Sequence, residues 1–226
     1  MAVGEDGHDE SSGGDRPAVT VRELPGRSPV LGGTLVRLEP LSMGHVPELA
    51  DAAEEGRASY GFTPVPSAAE MESYVAGKLG RSELMPFAQV RVVDGKVVGH
   101  TALLHPRPWP GRERLSAIEI GWTWLAASAQ GTGINVEAKR LLFGYAFETL
   151  GVARVELKTD ARNERSRRAI ERLGVHFEGV LRSYSESWVP GEEGKLRDTA
   201  MFSVIADEWP SVKTTITDLL AEAVHP

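Results

Sequence analysis

The chain has 226 residues, 41% of them apolar and 25% charged, with 25 Lys and Arg against 32 Asp and Glu for a formal net charge of −7. That size and balance describe one folded domain with appendages, and no apolar run approaches the ~20 residues of a membrane span. The acidic balance weighs against a general nucleic-acid binder, and the absence of cysteine excludes disulfides, thiolate metal sites and a cysteine nucleophile.

The charge is unevenly placed. Glu5, Asp6, Asp9, Glu10 and Asp15 fall within Met1 to Asp15 beside no basic residue, which leaves −2 on the rest. Residues 1–28 are rich in Gly, Ser and acid. Such a composition buries too little apolar surface to offset the entropy of ordering, so a disordered acidic tail is expected ahead of a single domain over 29–226. The N-terminus lacks the basic start and apolar stretch of a secretory signal; with no cysteine, a cytoplasmic location is expected.

In chain order, Thr34 to Leu38 reads as a strand closed by Pro40. Val46, Leu49, Ala50 and Ala53 recur at helical spacing over 45–53. Ser67 and Glu70 form a capping-box pattern ahead of a helix with Met71, Tyr74, Val75 and Leu79 on one stripe. Phe87 to Val93 and Lys96 to Leu104 read as a hairpin about Asp94-Gly95, and the prolines of 105–114 predict a loop after it. Ala117 to Leu125 is a long strand. Alternation puts Glu119, Gly121 and Thr123 on one of its faces and Ile118, Ile120, Trp122 and Trp124 on the other.

A helix is expected over 132–150, with Leu141, Leu142, Tyr145, Ala146 and Leu150 as its buried stripe. Strand 152–159, helix 166–173, strands 176–184 and 200–205 and a C-terminal helix with Pro210 in its first turn complete the chain. Strands on both sides of the helix near 132–150 suggest a crossover inside a mixed sheet. The fold class is therefore α/β, an α+β mixed sheet rather than a regular doubly wound one.

Two segments carry chemistry. Gln130-Gly131-Thr132-Gly133-Ile134-Asn135 joins a strand to a helix. The first turn of a helix offers unpaired N–H groups and the positive end of its dipole, which suits phosphate, and the glycines allow close approach. The same composition also makes a plain tight turn. No GK[ST] follows the glycines, so this is not a nucleotide P-loop, and Val136 stands at the third glycine position of a dinucleotide fingerprint. Farther on, Arg162 to Arg172 holds five Arg and two Glu, a local +3. These arginines, Arg168 among them, either face solvent or meet ligand phosphates.

Together QGTGIN followed by VEA, and NERSRRAIERLG followed by FEGVLR, resemble the GNAT N-acyltransferase superfamily over Thr34 to Trp209. The resemblance is to the branch that includes the ribosomal-protein N-terminal (alanine) acetyltransferases. It implies a GNAT-like fold with splayed central parallel strands. It also implies acetyl-CoA or another acyl-CoA as co-substrate, no metal, and transfer to a primary amine of a small molecule or of a peptide or protein N-terminus.

It assigns the backbone of Gln130, Gly131, Thr132, Gly133, Ile134 and Asn135 to the CoA pyrophosphate, with Asn135 standing where the family has Gly or Ala. Thr123, Trp124 and Leu125 would pair with the pantetheine arm in a gap near Val155 to Lys158, and Asn163 would hold a pantetheine amide. The tyrosine that many members carry seven residues after that Asn is Ile170 here. In the ribosomal-protein branch a serine three residues after it takes the role, and Ser166 matches. Ser166 is then the acid for the departing thiolate, or a cap of its own helix.

Glu119 is the expected base, ahead of His100 and His105, and the Leu125 N–H the expected donor to the thioester carbonyl. By the layout that the resemblance implies, Tyr60, Trp109 and Tyr184 are the expected acceptor wall. Neither nucleic acid nor a membrane is an expected partner, and an exposed strand edge or the C-terminal helix could make a homodimer. The competing reading is an acyl-CoA-binding regulator that has lost catalysis, which the replacement by Ile170 favours.

Overall fold

The computed structural model describes residues 24, 28–112 and 114–224. The expected tail lies outside them apart from Leu24 and Ser28, and Leu24 is buried in the core. The elements are β1 (Leu31–Gly32), β2 (Val36–Pro40), α1 (Val46–Glu54), α2 (Met71–Leu79), β3 (Met85–Arg91), β4 (Val97–Pro108), β5 (Leu115–Leu125), α3 (Ile134–Gly144), β6 (Arg154–Asp160), α4 (Glu164–Glu171), β7 (His176–Glu186), β8 (Leu196–Ile205) and α5 (Trp209–Val224). The strands form one sheet in the order β1-β2-β3-β4-β5-β6-β8-β7. β5 and β6, joined by the α3 crossover, are its parallel pair, and the other neighbours are antiparallel. Among the described residues no helix is long and apolar enough to cross a membrane.

Local chemistry explains most of the boundaries. The Glu70 carboxylate accepts the Ser67 N–H at 3.0 Å and so opens the turn that leads into α2. Gly95 takes a positive φ of 71° in the turn between β3 and β4. After α3 the helix widens into a π turn at Tyr145–Thr149. There Phe147 stacks on Trp209 of α5 at a centroid distance of 5.6 Å, and Phe143 packs tilted against the same ring at 5.7 Å.

Four expectations need correction. The prolines of 105–114 do not end β4, which runs to Pro108: its ladder with β5 jumps from Leu104↔Glu119 to Arg107↔Ala117. His105 and Pro106 sit in that bulge, where the missing proline N–H leaves no gap, and His105 adopts a positive φ of 51°. On α2 it is Lys78 that is buried and Leu79 that is exposed, because the Lys78 ammonium lies over the Trp122 ring. The expected stripe of the α3 segment does meet the core, with Leu142 and Ala146 buried and Leu141, Tyr145 and Leu150 packed against it, but that face is not purely apolar, because Glu137 and Lys139 are buried in it too. Finally, Trp122 has a positive φ of 54° and the β4 register shifts between His100 and Ala102. This bulge breaks the predicted alternation: Thr123 meets α3, whereas Glu119 meets β6 and His105.

The site is positioned by how β5 and β6 part. They pair only at Ala117↔Arg154, Ile118↔Val155 and Glu119↔Glu156. Past that point a cleft of about 500 Å³ opens between them.

Candidate active site

The cleft has β5 residues Ile120 to Leu125 on one wall and Leu157, Lys158 and Thr159 of β6 on the other. Gln130, Gly131, Asn135 and Lys139 close one side, and Asn163, Arg165, Ser166 and Ile170 another.

At the strand end, Leu125 is pinned through its carbonyl oxygen, which accepts from the Tyr60 hydroxyl at 3.0 Å and from Gln130 Nε2 at 2.9 Å. Gln130 is a hub, since its Oε1 also takes Arg165 Nη1 at 3.1 Å. Behind the strand, the buried Gln89 amide donates to the carbonyls of His100 and Trp124 and so stitches the bulge. Gly99 has to be glycine because a Cβ there would collide with the Trp124 carbonyl.

The glycine turn then delivers the start of α3. Gly133 caps the helix at φ 84°, and a Cβ on it would lie 2.9 Å from Leu35 Cδ1. Ile134 is buried in the core, and the Thr132 hydroxyl closes the turn on the Ala129 carbonyl at 2.8 Å. Asn135 faces the cleft with its buried Oδ1 unpartnered. One turn farther, the buried Lys139 ammonium donates to Thr123 Oγ1 at 2.8 Å, which in turn contacts Thr101 Oγ1 at 2.8 Å. Burial pushes Lys139 down to about 7. An ammonium balanced there can exchange a proton near neutral pH.

On the facing wall, Asn163 caps α4: its Oδ1 accepts the Ser166 N–H at 3.1 Å. Ser166 therefore does not cap its own helix, and its hydroxyl has no protein partner among the described residues. Ile170 is buried beside it.

Glu119, 6% exposed, accepts from His105 Nδ1 at 2.8 Å and forms an ion pair with Lys158 Nζ at 3.0 Å. His100 is a core histidine. Its Nδ1 meets the Trp122 carbonyl at 3.0 Å, and burial pushes it down to about 4.

Of the expected glycine-turn residues, Thr132, Gly133 and Ile134 do not line the cleft, and three further expected site residues lie elsewhere. Arg168 pairs with Glu164 on the exposed side of α4 and does not line the cleft; Arg165 does. Trp109 is stacked near Arg112 and Arg114 at the β4–β5 turn, away from the cleft lining. Tyr184 is exposed and backs Lys158, whose ammonium is 5.6 Å from its ring centroid. Tyr60 lines the cleft, but its hydroxyl is committed to Leu125. Sequence reasoning missed Lys139, Lys158, Ser185 and Arg197. For Lys139 one signal was available: it stands four residues after Asn135, on the same helical face.

The geometry suits a CoA-like group. A strand edge without a β6 partner borders the same cleft as the first turn of α3, whose Asn135 lines it.

The profile of the acetyltransferase (GNAT) domain matches residues 36–176. A GCN5-related N-acetyltransferase from Brucella melitensis is 32% identical, superposes with a TM-score of 0.74, and is covered over 86% of its length by 85% of this chain. RimJ of Mycobacterium smegmatis, solved in complex with CoA-disulfide, shares the fold at 20% identity and a TM-score of 0.70, over 85% of this chain and 95% of its own. YdaF of Bacillus subtilis (strain 168), provisionally named a ribosomal N-acetyltransferase, is 37% identical over 95 residues, which are 42% of this chain and 49% of YdaF. The match thus spans about half the length of that curated relative. The chain belongs to the GNAT acetyltransferase family.

Proposed function

We propose that the chain transfers an acyl group, in the first place acetyl, from acyl-CoA to a primary amine of a small molecule or of a peptide or protein N-terminus. The observation that carries this reading is the parting of β5 from β6 after Glu119 and Glu156, with the glycine turn at one end and Asn163 and Ser166 across the gap. The name of YdaF, a ribosomal N-acetyltransferase, favours a ribosomal acceptor.

When bound, acyl-CoA supplies a thioester whose carbonyl is the electrophile and whose sulfur leaves as thiolate. In this reading the N–H groups of 130–135 and the α3 dipole hold the pyrophosphate, and the free edge of Thr123, Trp124 and Leu125 aligns the pantetheine amides. Leu125, pinned through its carbonyl, offers its N–H to the carbonyl of the thioester.

Glu119 acts through His105. With the proton on Nδ1 held by the carboxylate, Nε2 keeps the lone pair that accepts a proton from the acceptor ammonium. The Ser166 hydroxyl, released from capping by Asn163, gives a proton to the thiolate.

Thiol release measured across a panel of amines and N-terminal peptides, with several acyl-CoAs, tests this. Amine-dependent release is expected. CoA binding with no release above hydrolysis would leave only the acyl-CoA-binding regulator.

A further inference from the structure

The sheet face formed by β6, β8 and β7 is polar where it meets the cleft. Lys158 stands opposite Met201, Asp160 opposite Thr199 and Ser185 opposite Arg197, so alternation gathers Lys158, Asp160, Thr199, Arg197 and Ser185 on one side. Asp160 and Thr199 are buried there.

The nearby carboxylates are taken. Asp160 binds Arg162 through both oxygens, at 3.0 and 2.8 Å, and Glu192 binds the same guanidinium at 2.9 Å. Glu119 holds His105 and Lys158. Arg197 is different. Its Nε donates to Ser185 Oγ at 3.2 Å, and no carboxylate lies within ion-pair distance of it among the described residues. It lines the cleft with Ser185 and Trp188. Burial holds its guanidinium below the usual arginine value in spite of Asp160 and Glu119.

A half-buried guanidinium with no carboxylate partner keeps its planar fork free for a ligand anion. The CoA phosphates belong with the glycine turn, where Arg165 is bonded to Gln130. Arg197 instead lines the cleft together with Glu119 and His105, the pair that the acyl-transfer reading makes the base.

We propose that Arg197 and Ser185 form a carboxylate subsite in the acceptor half of the cleft. The acceptor is then an amine that also bears a carboxylate: an amino acid, or a peptide N-terminus followed by an acidic side chain. The role of the amine rests on the acyl-transfer reading; the carboxylate contact does not.

The test pairs each acid with its amide. The small-molecule arm uses glycine, β-alanine and γ-aminobutyrate against their primary amides, and the peptide arm uses Ala-Asp-amide against Ala-Asn-amide. Binding to the CoA-saturated protein is read by calorimetry and turnover by thiol release. In at least one arm the acid is expected to bind about tenfold better than its amide, the scale of a charge-assisted hydrogen bond. Arg197→Gln is expected to bring that ratio near one, and Arg197→Lys to retain part of it. The arm showing the preference identifies the source of the carboxylate.

A wild-type ratio near one in both arms overturns the subsite, as does a ratio that survives Arg197→Gln. An unaltered ratio with weakened CoA binding would assign Arg197 to the cofactor and overturn it too. Should no amine be acylated, the acyl-transfer reading falls, while the calorimetric ratio still decides the subsite.

Discussion

The Tyr60 hydroxyl donates to the carbonyl oxygen of Leu125 at 3.0 Å, joining the segment after α1 to the end of the strand that borders the cleft. Gln130 shares that carbonyl, so removing the hydroxyl does not orphan it. Tyr60→Phe is therefore expected to lower stability by only about 1 kcal/mol while raising the KM for acetyl-CoA several-fold. Thermal melts and steady-state kinetics check both parts. An unaltered KM would mean that Gln130 alone positions Leu125.

Glu119 bridges an imidazole and an ammonium. Glu119→Gln keeps the shape but loses the charge that orients His105. The expected result is a kcat/KM lower by ~10²-fold, the low end of general-base effects, with a displaced acidic limb in its pH profile. An acidic limb identical to wild type removes the pair from the mechanism.

Lys139 gives a prediction for stability. Its ordinary value is 10.5, and burial brings it to about 7 in the folded chain. Between these values the unfolded chain binds the extra proton, so stability rises as pH increases from 7 toward 10.5. Lys78, also pushed down to about 7 by burial, contributes with the same sign. Lys139→Met should flatten the rise without abolishing it, as urea midpoints at pH 7, 8 and 9 would show. A slope equal to wild type contradicts the burial of the ammonium.

Glu137 on α3 accepts four hydrogen bonds from the segment that leads into β2: Thr34 N at 2.8 Å, Thr34 Oγ1 at 2.8 Å, Leu35 N at 2.6 Å and Val36 N at 2.8 Å. Burial raises its pKa, and these bonds outweigh that effect and leave it below the usual value. Stability from Glu137 is thus present above the ordinary carboxylate range and lost as pH falls through the lowered value. Glu137→Gln turns an amide donor toward N–H groups and is expected to cost about 3 kcal/mol at pH 7, with a smaller difference at acid pH. Denaturant titrations at both pH values check this.

The parts of the site that could be read from the sequence are local ones. The glycine turn, the Asn163 cap and Ser166 each depend on neighbours within a few residues, and Gln130, Gly131 and Asn135 of the turn line the cleft with Asn163 and Ser166. Glu119 was legible as a charge in an apolar strand. Its partners were not, because His105 reaches it from a bulge in a stretch whose prolines suggest a loop. Likewise the positive φ at Trp122 breaks a two-residue alternation that nothing in the local residue types contradicts. Arg197 becomes part of the cleft only through the β7–β8 register, which is set by pairing between distant segments. The mixed sheet followed from the order of strands and helices, whereas the early parting of its parallel pair came only through the family resemblance.

That parting amounts to an edge strand kept inside the molecule. Exposed edges recruit stray polypeptide and promote aggregation. Here the free edge of β5 is walled by α3 and α4, in a wedge that starts at Glu119 and Glu156 and leaves a full polypeptide strand no second ladder to complete. A slender chain of amides without side chains can occupy the wedge as a surrogate strand. On the acyl-CoA reading the sheet selects its guest by thickness, and slowed exchange of the amides of residues 123–125 would register the guest as the missing strand.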